Sequence, residues 1–189
     1  MQKLIYTLLF LSFTFLLSSQ SGIKFYGGIS NAKNKNSLIT PEGTSHPGFH
    51  IGADARLMNG KMYFVVGGQF HSIEFLSTSE KTYFSVENKM NWTKLRAGLG
   101  YTLFQINSKF TIRGKTLASF NFLNSYPNDL ASAPFQNYNS GTVGAVLGLG
   151  MDLFNFTLDV EFENGFFKTV TMVDGTEINF LTLSLGYKI

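Results

Sequence analysis

The sequence predicts an all-β chain, an eight-stranded antiparallel up-and-down transmembrane β-barrel, and three observations lead there. Apolar and polar residues alternate with a period of two over eight stretches, as in strands whose successive side chains point to opposite faces. The connections between these stretches alternate long and short, as the two rims of a transmembrane barrel do. Wherever a strand carries two or more charges, they avoid the face that holds the apolar series. A charge facing lipid at the bilayer midplane costs about 2–4 kcal/mol, so the charge-free face is the outer one.

The segment Gly141 to Gly165 sets the pattern. Val143, Ala145, Leu147, Leu149, Met151 and Leu153 alternate with Gly144, Val146, Gly148, Gly150 and Asp152; then Phe156, Leu158, Val160 and Phe162 alternate with Thr157, Asp159, Glu161 and Glu163. Phe154-Asn155 between the halves is the expected tight turn, which makes the pair a hairpin, the sixth and seventh strands. Each arm has about ten residues, the length a tilted strand needs to cross a bilayer.

The first strand is expected over Gly22 to Ser30, with Ile23, Phe25 and Ile29 opposite Lys24. Asn31 to Pro47 lacks periodicity and reads as a long loop. In the second strand, Gly48 to Met58, Phe49, Ile51, Ala53, Ala55 and Leu57 face away from His50, Asp54 and Arg56. Asn59-Gly60 is a strong hairpin signal because both residues tolerate positive φ. The third strand, Lys61 to His71, sets Phe64, Val66 and Phe70 against Gln69 and His71. Ser72 to Lys89 is the second long connection, with strand extensions expected around Thr82 to Val86.

The fourth strand, Met90 to Phe104, carries Leu95, Ala97, Leu99, Tyr101 and Leu103 opposite Lys94, Arg96, Gly98 and Gly100. A turn over Gln105 to Ser108 leads to the fifth strand, Lys109 to Phe122, where Phe110, Ile112, Ala118 and Phe120 oppose Arg113, Lys115, Ser119 and Asn121. Leu123 to Ser140 and Phe166 to Glu177 are the remaining long loops. The eighth strand alternates Leu181, Leu183, Leu185, Tyr187 and Ile189 with Thr182, Ser184, Gly186 and Lys188. Ile178 and Phe180 fall out of phase with it, so a bulge is expected near Phe180. The even strand number puts both ends of the barrel on the short-turn rim. Aromatic residues gather towards strand ends as interfacial girdles do. Phe49, Phe70, Trp92, Phe120 and Phe162 lie near the long loops, and Phe25, Tyr101, Phe110, Phe156 and Tyr187 near the other rim.

Residues 1–19 form a separate element. Lys3, the uncharged run Leu4 to Leu17 and the small polar stretch that follows make the three parts of a secretory signal peptide, too short for a spanning helix. Cleavage is placed after Ser19, with Ser21 as the alternative, which leaves residues 20–189 as the barrel. The chain has no cysteine, so it offers no lipoprotein anchor and no disulfide. Glycine (19) and phenylalanine (20) are abundant while charged residues make up only 14%, which suits an outer surface that is not all water. The net charge of +3 falls to +2 when Lys3 leaves, too weak and scattered to argue for nucleic acid.

The inward face then carries Lys24, Arg56, Lys94, Arg96, Arg113, Lys115 and Lys188 against Asp54, Asp152, Asp159, Glu161 and Glu163. Eight strands enclose a space that side chains fill, and buried ions must be paired. The fourth and fifth strands are basic and the seventh acidic. The expectation is a cross-lumen ion-pair network that plugs the barrel; its rivals are a narrow charge-lined pore and a soluble exported barrel that binds a small ligand. No catalytic, cofactor or metal site is expected. His71-Ser72 reads as a rim histidine bonded to a loop. His46 and His50, on a loop and a strand, lack a third ligand. Gly98-Leu99-Gly100 and Gly148-Leu149-Gly150 lie in strands with no helix after them, so they are packing sites and not phosphate loops.

The stretches G-I-K-F-Y-G-G from Gly22, F-H-I-G-A-D-A-R-L from Phe49, the hairpin from Gly148 to Gly165 and the closing L-S-L-G-Y-K-I together resemble the small outer-membrane β-barrel family of Gram-negative bacteria. Within it they are most similar to the PorT-like "outer membrane protein beta-barrel domain" group of the porin family. The resemblance spans Gly22 to Ile189. It implies a cell-envelope protein inserted in the outer membrane, with outer-membrane lipid as its surroundings and the barrel-assembly machinery as its partner during insertion. The family's final residue is usually aromatic, and Ile189 departs from that. A structural or accessory part in an envelope or secretion complex is a further implication. Binding is expected in the four long loops, the first made basic by Lys33 and Lys35 and so suited to anionic surface polysaccharide.

Overall fold

β-Branched, aromatic and leucine residues at every second position drive eight strands. The computed structural model describes residues 22–35, 45–58, 60–74, 84, 89–106, 109–125, 138–171 and 173–189. The strands are β1 (Ile23–Lys33), β2 (His46–Leu57), β3 (Met62–Ile73), β4 (Met90–Ile106), β5 (Phe110–Ser125), β6 (Gly141–Leu153), β7 (Phe156–Gly165) and β8 (Asn179–Lys188). Each pairs antiparallel with its neighbour in sequence, and β1 pairs with β8 to close the barrel. Closure leaves no free sheet edge, the condition for a sheet to sit in lipid, where no water satisfies a stray N–H or C=O.

The phase of every strand puts the apolar series outside. Leu147, Leu149 and Leu185 are 60–62% exposed on the outer surface, while Lys24, Asp54, Lys94, Arg96 and Asp159 are almost fully buried inside. This inverts the arrangement of a soluble barrel, in which burial of apolar surface supplies the main driving force. Phe25, Tyr101, Phe156 and Tyr187 on the outside flank the short-turn rim, and Phe120 and Phe162 face outward towards the long-loop rim.

Several expectations need correction. Trp92 is not in the outer girdle: it points into the lumen and is 2% exposed. The β4–β5 register shifts between Asn91 and Trp92, and only there and between Thr102 and Phe104 does this hairpin depart from regular pairing. No bulge occurs near Phe180. β7 and β8 pair continuously from Phe156↔Tyr187 to Asn164↔Asn179, and Phe180 lies in phase on the inner face, 3% exposed. The out-of-phase reading assumed that an apolar residue faces outward, whereas the loop end of this lumen is itself apolar. Asn31 to Lys33 and His46 to Pro47, read as loop, are strand.

The turns behave as follows. Phe154-Asn155 is a two-residue turn, with Phe154 in the left-handed region at φ 55°. In the β2–β3 turn positive φ falls on Met58 (82°) and Gly60 (141°); Asn59 lies outside the described residues, as do residues 1–19, expected to be a signal peptide, and all of Thr82 to Val86 except Phe84.

Candidate functional site in the lumen

The lumen is built in layers from the short-turn mouth upward. On β7, Asp159, Glu161 and Glu163 occupy consecutive inward positions, about 7 Å apart along the strand. β5 offers Arg113 and Lys115 in the same upward order, and β4 offers Arg96 and then Lys94. The ladders therefore meet rung by rung. Asp159 binds Arg113 at 2.7 Å and Lys24 of β1 at 3.0 Å, with Lys115 at 3.4 Å. Glu161 binds Arg96 at 2.6 Å and is in contact with Lys115. Glu163 accepts from Lys94 at 2.7 Å and from the Asn121 amide at 2.7 Å. Asp54 of β2 joins the middle rung. It takes two hydrogen bonds from Arg96 Nη2, at 2.8 and 3.0 Å, and one from the Tyr26 hydroxyl at 3.2 Å, and it has Lys24 at 3.4 Å.

β6 lies between β5 and β7, and its glycines let the rungs pass. A Cβ at Gly148 would stand 2.9 Å from Lys115 Cε. One at Gly150 would stand 2.4 Å from Asp159 Oδ1 and 2.7 Å from Arg113 Nη1. The same device seats two aromatic rings. Tyr26 lies over Gly52 and Tyr63 over Gly100, where an added Cβ would come within 2.5 Å and 2.2 Å of them. Gly100, Gly148 and Gly150 of the sequence's G-L-G runs are thus the floor across which longer side chains reach, whereas a Cβ at Gly98 would meet the β5 backbone at Thr116.

At the short-turn mouth Asp152 gathers three cations. Arg56 binds it through both terminal nitrogens, at 2.6 and 3.3 Å. Arg113 reaches it at 2.8 Å and Lys188 at 3.7 Å. Every charged residue expected inside is inside, and each has an opposite partner within salt-bridge reach. Charges packed this way lose their hydration, so mutual pairing and shared hydrogen bonds must compensate for it.

Above the ion pairs comes a layer of histidine–serine pairs. His50 shares a 2.7 Å hydrogen bond with Ser184, and His71 shares one of 2.7 Å with Ser30. The two rings lie 5.5 Å apart, and His71 packs tilted against Phe180 at 4.7 Å. His71 is therefore no rim residue but is fully buried, bonded across the lumen to β1 and not to a loop. His46 is on β2, on the same inward face as His50. Lys94 Nζ sits 3.5 Å from the Phe180 ring centroid, joining this layer to the ionic one.

An apolar plug closes the loop end. Ala32, Ile73, Met90, Trp92, Ile178 and Phe180 pack with Val170 of the β7–β8 connection. That connection is held over the mouth by the Tyr138↔Val170 bridge and by backbone bonds Asn139 N–H to Thr169 O (2.8 Å) and Lys35 N–H to Gly175 O (2.9 Å). Phe166 to Glu177, expected as a long outward-facing loop, contributes Val170 to this core. The signal in hindsight is the inward parity of Ile178 and Phe180, which called for an apolar neighbour inside. Phe166 and Phe167, also read as loop, are exposed aromatics at this rim. Among the described residues no group of three metal-ligating side chains converges.

No family model and no curated protein matches the chain. Solved structures do. Neisserial surface protein A is 15% identical with a TM-score of 0.58, the match covering 90% of this chain and 98% of that one. Ail, the attachment invasion locus protein of Yersinia pestis, solved in complex with the heparin analogue sucrose octasulfate, is 15% identical with a TM-score of 0.42, over 89% and 97% of the two chains. Outer membrane protein OprG from Pseudomonas aeruginosa is 11% identical with a TM-score of 0.46, over 90% and 97%. At these identities the likeness is one of fold, and the first of the three carries it.

Proposed function

We propose that this chain is an integral outer-membrane β-barrel, sealed by its own side chains, that acts through its rims in a structural, accessory or binding role. The observation that carries this is the inverted surface. Leucine, valine and phenylalanine cover the outside of a closed sheet, and ionic residues fill the inside. In water that outside would be a continuous apolar patch far beyond the few hundred Å² a soluble monomer exposes. In lipid it is the favoured surface. Likeness of fold to Neisserial surface protein A supports the same placement. The finer assignment to the PorT-like group, insertion by the barrel-assembly machinery and membership of an envelope or secretion complex rest on the motifs quoted above.

The seal has two parts, the ion-pair rungs and the apolar plug, and the plug is what weighs against a conducting pore. We read the chain as non-catalytic on the same ground. The buried histidine–serine pairs lie beneath the plug, and the Nδ1 atoms of His50 and His71 have no hydrogen-bond partner, so no carboxylate orients either imidazole as a general base. Lys33 and Lys35 are exposed at the long-loop rim and give it the charge to meet anionic polysaccharide.

Two measurements test this reading. The mature protein should fractionate with outer membranes and show heat-modifiable gel mobility; recovery as a detergent-free soluble monomer would end it. In planar bilayers it should give no steady conductance. Reproducible nanosiemens steps that persist on repurification would replace the sealed barrel with a pore.

A further inference from the structure

The short-turn mouth is not filled. A blind vestibule of about 520 Å³ opens there, lined by Arg56, Tyr63, Thr102, Arg113, Asp152 and Lys188 among others. Arg113, which lines it, is held on its far side by Asp159 at 2.7 Å. Arg56, Arg113 and Lys188 share Asp152, and Arg113 is also paired with Asp159. Asp152 is already doubly bonded by Arg56 and bonded by Arg113, so Lys188 reaches it only at 3.7 Å. Ile189 lies at the lip, 77% exposed. The inward face as a whole carries seven cations (Lys24, Arg56, Lys94, Arg96, Arg113, Lys115 and Lys188) against five carboxylates (Asp54, Asp152, Asp159, Glu161 and Glu163), so even one further carboxylate at the lip would leave it positive. Lys61 and Lys109 of the neighbouring turns add to the same sign. A second observation points inward. Tyr63 is 6% exposed, lines the vestibule, and its hydroxyl is buried without a hydrogen-bond partner. A buried hydroxyl left unpaired costs free energy that a bound acceptor would recover.

We propose that this vestibule is a binding site for a small soluble phosphate-bearing anion, held by Lys188 and Arg56 with the Tyr63 hydroxyl as an added donor. Arginine presents several donors in a fixed plane that suits phosphate oxygens, and lysine contributes a point charge. The hydroxyls of Thr102 and Thr111, both lining residues, widen the donor set. The site is separate from the sealed lumen above it, and it does not depend on any role for the long loops.

The test is calorimetric titration of the folded mature protein in zwitterionic micelles with inorganic pyrophosphate at constant ionic strength. One saturable site is expected. Lys188→Gln, on a residue at the open end of β8, should weaken it at least tenfold, and Tyr63→Phe should weaken it severalfold. Lys168→Gln, at the opposite rim, should leave it unchanged. A parallel arm adds phosphatidylglycerol to the micelles. A response to that lipid with none to pyrophosphate would assign the charge to lipid headgroups and overturn the proposal. So would the absence of saturable binding by the unsubstituted protein, or equal binding by Lys188→Gln and Tyr63→Phe in protein whose gel mobility shows it folded.

Discussion

Replacing Arg96 by methionine removes the cation that ties two rungs together while keeping most of the side-chain volume. Arg96 donates to both oxygens of Asp54 at 3.0 and 2.8 Å and to Glu161 at 2.6 Å, and it is 2% exposed. Its removal leaves Asp54 with Lys24 at 3.4 Å and the Tyr26 hydroxyl at 3.2 Å, and leaves Glu161 with Lys115. Breaking a buried pair from one side costs about 3–5 kcal/mol, because a desolvated charge stays behind. The surviving partners hold part of that charge, so a loss near the lower end, about 3 kcal/mol, is expected. Adding Glu161→Gln to Arg96→Met removes one stranded charge and should restore roughly 1 kcal/mol or more, within the usual range of coupling between contacting groups. The assay is urea unfolding of protein refolded into lipid vesicles, read by fluorescence of Trp92, the chain's one tryptophan. Raising the salt from 0.15 to 1 M should change the loss little, since buried pairs are poorly screened. A loss under about 1 kcal/mol, the range of exposed ion pairs, would refute the buried-network reasoning. A strictly additive double variant would refute the coupling.

Three further outcomes follow from the geometry. Leu147→Arg, at the middle of β6 and 60% exposed, should cost about 2–4 kcal/mol in vesicle unfolding, whereas the same change on a water-facing surface would be nearly neutral. Gly150→Ala should cost roughly 1–3 kcal/mol, because the new Cβ meets Asp159 and Arg113 within 2.7 Å while both are locked in their ion pair. Trp92 fluorescence should not be quenched by lipids brominated on their acyl chains, and strong quenching would return that residue to the outer girdle.

Strand number, topology and phase were legible in the sequence because a period of two is a local property and the cost of charge in lipid marks one face. The identity of the inward charges was legible for the same reason. The rungs were not: parity says that Arg96 and Glu161 both face inward, but only the stagger of three intervening strand pairings puts them at one height. Trp92, Phe180 and His71 were misplaced because local pattern equates apolar with outside and strand end with rim. In three dimensions the β7–β8 connection folds back over the mouth and makes the lumen's loop end an apolar core.

The amino-acid order by itself determined that this chain is a cylinder of alternating faces with its ions turned away from lipid. Closure decided what those ions do. Only when β1 meets β8 does the inward surface become a confined volume, and confinement compels the charges of β1, β2, β4, β5 and β7 to pair across it. The same closure leaves one mouth capped and the other an open, positively charged vestibule, a difference that depends on distances no linear pattern encodes.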